Sequence, residues 1–191
     1  MTVLPIRELG DPVLRERARD VAPEELASPE VQTLIDDMIE TKRAANGAGI
    51  AAPQVGESLR IAIAEVQPNN PRYPYKPPIP LTVLVNPVLE PLDDELAAIN
   101  EGCLSVPDLR GELARHVNVR VQYLDRDGVE RTEVKRGLTA GTFQHEVDHL
   151  DGILFVDRAD PRTLSTWEHY ERYAREDFER RARQLVLRAG Q

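Results

Sequence analysis

After Ser28-Pro29-Glu30, apolar residues recur at helical spacing: Val31, Leu34, Ile35, Met38 and Ile39 fall on one face of a 3.6-residue repeat. Ser28 suits the N-cap and Pro29 the first helical position, where a missing N–H costs nothing, and Asn46-Gly47 marks the stop. The period then changes. Residues 59–66 and 81–85 form short β-rich runs, separated by Gln67-Pro68-Asn69-Asn70-Pro71 and a proline-rich stretch at 75–80, so the connector is expected to be a surface loop. Val117, Val119, Val121 and Tyr123 alternate strictly, and Asp127-Gly128 turns the chain into a second strand around residues 129–134, which predicts a β-hairpin. Thr139 can cap a short helix carrying Phe143, His145, Val147, His149 and Leu150, with Gly152 at its end. Asp160-Pro161 opens a last helix that turns Leu164, Trp167, Ala174 and Phe178 inward and ends near Gly190.

Strands between helices without βαβ alternation predict an α+β fold with antiparallel pairing. A chain of 191 residues, 41% hydrophobic and 30% charged, with no internal repeat or dividing linker, reads as one domain over residues 1–191. The formal charge of −9 argues against broad binding to polyanions. No apolar run approaches the roughly 18–20 residues that span a bilayer. Arg7 and Glu8 stand where a signal peptide needs a hydrophobic stretch, so the expected setting is cytoplasmic. The single cysteine, Cys103, makes no intramolecular disulfide, and its thiol calls for another explanation.

The sharpest chemical signal is Gln144-His145-Glu146-Val147-Asp148-His149. Residues i and i+4 share a helix face, so His145 and His149 can offer imidazole nitrogens to one metal while Glu146 lies beside an open coordination position, the arrangement of metal-assisted hydrolysis. The third ligand decides the class. The long zinc-endopeptidase pattern would put a ligand at Phe155, which cannot bind a metal, whereas a glutamate from a later helix, Glu168 or Glu171, would make a zinc endopeptidase of another kind. The competing ligand is Cys103, whose thiolate binds more strongly than a carboxylate. A structural site is a third reading, but it closes with four protein ligands and has no use for Glu146. Of the other histidines, His116 precedes a strand and His169 sits in the polar last helix, so both are expected to be solvated. Asp148 and Gln144 are candidates to orient the imidazoles, with an arginine partner at the helix surface the alternative for Asp148.

Three segments, Gly47-Ala48-Gly49-Ile50-Ala51-Ala52-Pro53-Gln54, Glu101-Gly102-Cys103-Leu104-Ser105 and the histidine motif, resemble the three signature motifs of the peptide deformylases, in family order. Gly10-Asp11-Pro12-Val13-Leu14-Arg15 resembles the family's amino-terminal stretch, so the similarity covers residues 3 to 158, with a C-terminal helix at 162–191 beyond it. The resemblance implies antiparallel β-sheets packed around a central helix that carries the H-E-x-x-H motif, flanked by an N-terminal and a C-terminal helix. It also implies a metal-dependent hydrolase that removes the N-formyl group from the initiator methionine of nascent chains and releases formate. Cys103, His145 and His149 would hold one divalent metal, Fe2+ in the cell, with Ni2+, Co2+ or Zn2+ as substitutes. Glu146 would carry the proton between the attacking water and the departing amine. Gln54 and the backbone N–H of Leu104 would stabilise the oxyanion, and Gly49 would bind the substrate backbone as an added strand.

Two departures from the pattern carry expectations. Ala48 stands where many relatives have a branched residue, and Gly141 is also small, so a roomier methionine pocket is expected. Arg180, Arg181, Arg183 and Arg188 make the chain's end basic, which suggests docking on ribosomal RNA near the exit tunnel.

Overall fold

Alternation in one strand decides how the layers stack. The computed structural model describes residues 2–68 and 70–190; Asn69 of the connector, Met1 and Gln191 lie outside the described residues. In β2 (Ile61–Val66), Ile61 and Ile63 join Val83 and Val85 of β3 (Ile79–Pro91) against Ile35 and Met38 of α2 (Pro29–Ala44). Ala62 and Ala64 face the other way and share a core with Leu84, Val119, Val121, Phe143 and Leu150. The five-stranded sheet, in the order β1-β2-β3-β6-β7, is thereby covered by α2 on one face and by α3 (Gly137–Leu150) on the other. Its pairings are all antiparallel. The methyl groups at 62 and 64 let α3 approach the sheet closely.

α2 follows a four-residue turn, α1 (Pro23–Leu26), and is capped by Ser28, whose Oγ accepts from the Val31 N–H at 3.3 Å. The helix ends at Ala44, and Asn46 takes a left-handed φ of 52° before Gly47. β1 (Gly49–Ala51) forms one edge of the sheet, and β6 (Asn118–Leu124) and β7 (Glu130–Arg136) are the predicted hairpin.

A second sheet has the order β4-β5-β8. Its long hairpin, β4 (Leu96–Cys103) and β5 (Val106–His116), escaped the pattern reading because Asn100, Glu101, Arg110 and Arg115 are buried there, which erases the apolar alternation.

The ends of α3 and the C-terminus differ from expectation. α3 begins at Gly137, two residues before Thr139, and Arg136 at its N-cap makes no side-chain cap bond; the first turn is instead anchored by the Gly137 N–H donating to the Val117 carbonyl at 2.8 Å. Gly152 does close the helix, with φ 72° and the Arg15 carbonyl 2.6 Å from where a Cβ would stand, so no other residue fits. The predicted last helix is broken. Asp160 caps only a short turn at Pro161–Thr163, because Ser165 and Thr166 pair with β5 as β8 (Ser165–Thr166). Thr166 then caps α4 (Trp167–Tyr173), and α5 (Arg175–Ala189) follows. Phe178 is buried as expected, Trp167 and Ala174 are half-buried, and Leu164 is exposed.

Candidate metal centre

α3 runs through the core with nearly every position buried, so polar side chains on it need partners. His145 and His149, one turn apart, bring their Nε2 atoms to 3.2 Å from each other, and Cys103 Sγ, at the end of β4, lies 3.3 Å from Nε2 of His149. The three ligand atoms fall within 4.8 Å of one another, the group among the described residues with that capacity. A thiolate and two imidazole nitrogens converging on one point fit a divalent transition metal. Burial pushes the Cys103 thiol up, but the imidazoles of His149 and His145 outweigh it and hold the thiol well below its ordinary value. The Ser105 N–H at 3.4 Å and Gln54 Nε2 at 3.5 Å also face the sulfur and favour its thiolate.

The carboxylate that orients the first imidazole is Glu101. Its Oε2 accepts from Nδ1 of His145 at 2.8 Å, which leaves the Nε2 lone pair for a metal. Glu101 is held in turn by a two-point bond from the buried Arg115, at 2.8 and 2.9 Å. Burial pushes the Glu101 carboxyl up, yet Arg115, and then His145, pull it well below the usual carboxylate range. Asp148 takes the arginine alternative: it accepts from Arg115 at 2.5 Å and pairs with Arg158 at 3.0 Å. Gln144 orients no imidazole either, since its amide brackets the backbone of His116.

Glu146 is 3% exposed, and its Oε2 has no hydrogen-bond partner among the described residues. Burial raises its pKa, with His145 and His149 opposing. Its carboxylate lies so close to Gly49 that a Cβ at Gly49 would collide with it, so the glycine is a steric requirement of the glutamate's position. Gln54 is set with its Oε1 accepting from the Ala51 N–H at 2.8 Å and its Nε2 donating to Ser105 Oγ at 3.1 Å. Gly49, Gln54, Cys103, Leu104, His145 and Glu146 line one cavity of about 40 Å³. The residues singled out in the three motifs therefore meet in one place.

Residues 3–165 match the family described as polypeptide deformylase. The chain belongs to that family. Peptide deformylase 2 of Nostoc sp. is 43% identical over 171 residues, covering 88% of this chain and 94% of that one. Peptide deformylase 1 of Nitrosomonas europaea is 43% identical over 156 residues, covering 82% of this chain and 87% of the relative. A Met-Ala-Ser-bound crystal structure of the class I type b peptide deformylase from Acinetobacter baumannii aligns with TM-score 0.79 and 44% identity, over 82% of this chain and 98% of that one. Deformylases are metal-dependent amide hydrolases that remove the formyl group from nascent peptides, and such is the activity of this chain.

The deformylase assignment displaces the endopeptidase alternative. Glu168 is exposed on α4, and Glu171, exposed as well, is paired with Arg175 at 2.7 Å; neither joins the ligand cluster. His169 is exposed as expected, whereas His116, which ends β5 two residues ahead of β6, is half-buried. Ala48 and Gly141 both line the cavity, and Ile99 Cδ1 lies 2.7 Å from where a Cβ at Gly141 would stand. The connector is more than a surface loop: Tyr73 and Tyr75 are buried, and both line the cavity together with Lys76. Tyr75 packs edge-on against Phe178 of α5 at 5.1 Å, and the Arg110 guanidinium lies over the rings of Trp167 and Tyr170 at 4.8 and 4.3 Å. The C-terminal helices thus form the back of the deformylase cavity wall. Glu101 could have been found from sequence, since a strand's period of two puts it on the same side as Cys103. Lys76 carried no such signal.

Proposed function

We propose that Cys103, His145 and His149 hold the divalent metal, Fe2+ in the cell with Ni2+, Co2+ or Zn2+ as substitutes, and that the formyl amide of an N-formylmethionyl peptide is hydrolysed beside it. When bound there, such a cation supplies Lewis acidity and an acidified water. Glu146, buried beside the ligand set, takes a proton from the attacking water and returns it to the departing amine, so that formate and a free amino terminus result. Its lifted pKa suits that exchange. Gln54 lines the cavity with its oxygen tied to the Ala51 N–H, and its NH2, here bonded to Ser105 Oγ beside the Cys103 sulfur, would with the Leu104 N–H donate to the carbonyl oxygen as charge develops.

Gly49 belongs to β1, an edge strand of one sheet, and β4 is an edge strand of the other; residues of both line the cavity. A peptide entering there can pair as an added strand, through main-chain groups that are indifferent to the sequence after methionine. The Met-Ala-Ser held by the Acinetobacter relative has the free amine that deformylation leaves, which supports the same reading here.

The observation that carries this function is the convergence of Sγ and two Nε2 atoms with the Glu146 carboxylate alongside. Its test is anaerobic release of free amine from a formyl-Met tripeptide by wild type and Glu146→Ala, each loaded with Fe2+ or Ni2+. Turnover by wild type alone supports it; no turnover by either with metal bound overturns it. The cytoplasm, where nascent chains emerge, is the setting this activity needs. No described helix is long and apolar enough to cross a membrane. Docking of the C-terminal basic run on ribosomal RNA has weaker support, because Arg180, Arg181, Arg183 and Arg188 are each ion-paired, with Asp177, Glu112, Glu179 and Glu95. Unchanged ribosome co-sedimentation at low salt after deletion of residues 180–191 would dismiss it.

A further inference from the structure

One cation in the wall of the cavity has no part in the chemistry above. Lys76 sits in the segment between β2 and β3, its N–H donating to the Tyr73 carbonyl at 3.0 Å, with Pro77-Pro78 next along the chain. Its Nζ donates to Thr142 Oγ1 at 2.8 Å and stands 4.9 Å from the centre of the Tyr73 ring. Thr142 itself donates to the Leu138 carbonyl at 3.2 Å, so its lone pairs are turned to the lysine.

Position along α3 says where this ammonium lies relative to the reaction. Thr142 precedes His145 by three residues and Glu146 by four, so all three share a helix face, and Lys76 lines the same cavity as both. Ala48, Ile99, Leu138 and Gly141 supply apolar lining to that cavity, beside the polar Asn100, Glu101 and Arg110. A side chain that leaves the reacting amide and runs along α3 meets that apolar lining and can reach the Lys76 ammonium. An ammonium carries three donors, and Thr142 is its one hydrogen-bond partner among the described residues. Covering it with a pure hydrocarbon would leave charge facing hydrocarbon, which is costly. An acceptor at the tip removes that cost.

Resting on the deformylase reading of this site, we propose that Lys76 is a specificity-determining residue. Its ammonium donates to an acceptor at the end of the substrate's first side chain, so that the thioether of formyl-methionine, and still more the oxygen of formyl-methionine sulfoxide, is preferred to the methylene of formyl-norleucine. Withdrawal from water pushes the lysine down to about 8, which leaves it mostly protonated at neutral pH.

The test compares kcat/KM for formyl-Met-Ala-Ser, formyl-norleucyl-Ala-Ser and formyl-methionine-sulfoxide-Ala-Ser in the metal-loaded wild type, Lys76→Met and Thr142→Val. The methionine-to-norleucine ratio is expected near tenfold in wild type, as one hydrogen bond from a charged donor supplies, and near one in Lys76→Met. Thr142→Val, which keeps the lysine but removes its anchor, should lie between. Calorimetric binding of Met-Ala-Ser and norleucyl-Ala-Ser reads the same ratio without turnover. Ratios near one in wild type, or unchanged in Lys76→Met, overturn the role of Lys76 even if formate is released normally. Absence of all turnover with the binding ratio intact instead overturns the reaction and leaves the role of Lys76 standing.

Discussion

Arg115 of β5 reaches along the hairpin to Glu101 of β4 in a two-point ion pair, and the same carboxylate holds the Nδ1 of His145. One side chain therefore ties an imidazole of the proposed metal site to the frame of the second sheet. Replacing it with glutamine keeps its shape and removes the charge. Glu101→Gln should weaken metal binding by about 10–100-fold, the usual cost of losing a ligand's carboxylate partner, measured by competition with a chelator. It should also destabilise the fold by about 3 kcal/mol, because Arg115 is left buried with Asp148 alone; urea unfolding checks this.

Gly49→Ala should reduce turnover by about 10²-fold or more while metal binding is retained, since the added methyl must displace Glu146, the proposed general base. A crystal structure of the variant should find the Glu146 side chain rotated away from β1. Normal activity with Glu146 undisturbed would separate the glycine from the base.

Gln54→Ala should lower kcat by about 10²–10³-fold with little change in KM, as expected for a donor whose bond strengthens with the developing charge. A variant that raised KM alone would assign the amide to ground-state binding. Steady-state kinetics with a formyl-Met tripeptide distinguishes the two.

Acid stability should depend on Glu65, buried between Lys42 at 2.8 Å and Arg43 at 2.8 Å. The Arg43 hydrogen bonds and then the Lys42 ammonium outweigh burial and hold its carboxyl at about 2, below the ordinary 4.5. A carboxyl lowered in the folded state stabilises fully above its unfolded value and loses that contribution as pH falls through the folded one. Wild type should therefore lose about 2 kcal/mol from this group between pH 4.5 and 2. Glu65→Gln should be destabilised at pH 6, with the gap closing by pH 2; a constant gap in urea unfolding at both pH values contradicts the assignment.

How much of this was legible beforehand follows from where hydrophobic pattern and function coincide. α2 and the β6–β7 hairpin are amphipathic and could be read directly, from Ile35 and Met38 or from Val119 and Val121. The β4–β5 hairpin could not, because Glu101, Arg110 and Arg115 occupy positions that a fold without a site would fill with valine or leucine. The site's ligands were visible as motifs, since Cys103, His145 and Glu146 are chemically distinctive at fixed spacing. Lys76, Tyr73 and Tyr75 lie in a proline-rich connector with no period, and only the folded chain brings them to α3. The broken C-terminal helix was hidden by Asp160-Pro161, a sound helix start that tertiary pairing of Ser165 with Arg110 overrides after one turn.

Among the described residues, Ala62 and Ala64 line neither the cavity nor the ligand cluster, yet they set the gauge of the site. They are the surface on which α3 rests, and the imidazoles of His145 and His149 travel with that helix. Interiors are packed too tightly to absorb an added methyl, so a valine at either position would lift the helix while Cys103, on the other sheet, stayed where it is. The bite of the ligand set is thus adjustable from behind the sheet. Anyone seeking to retune metal preference in this scaffold can work on two fully enclosed residues and leave every ligand as it stands.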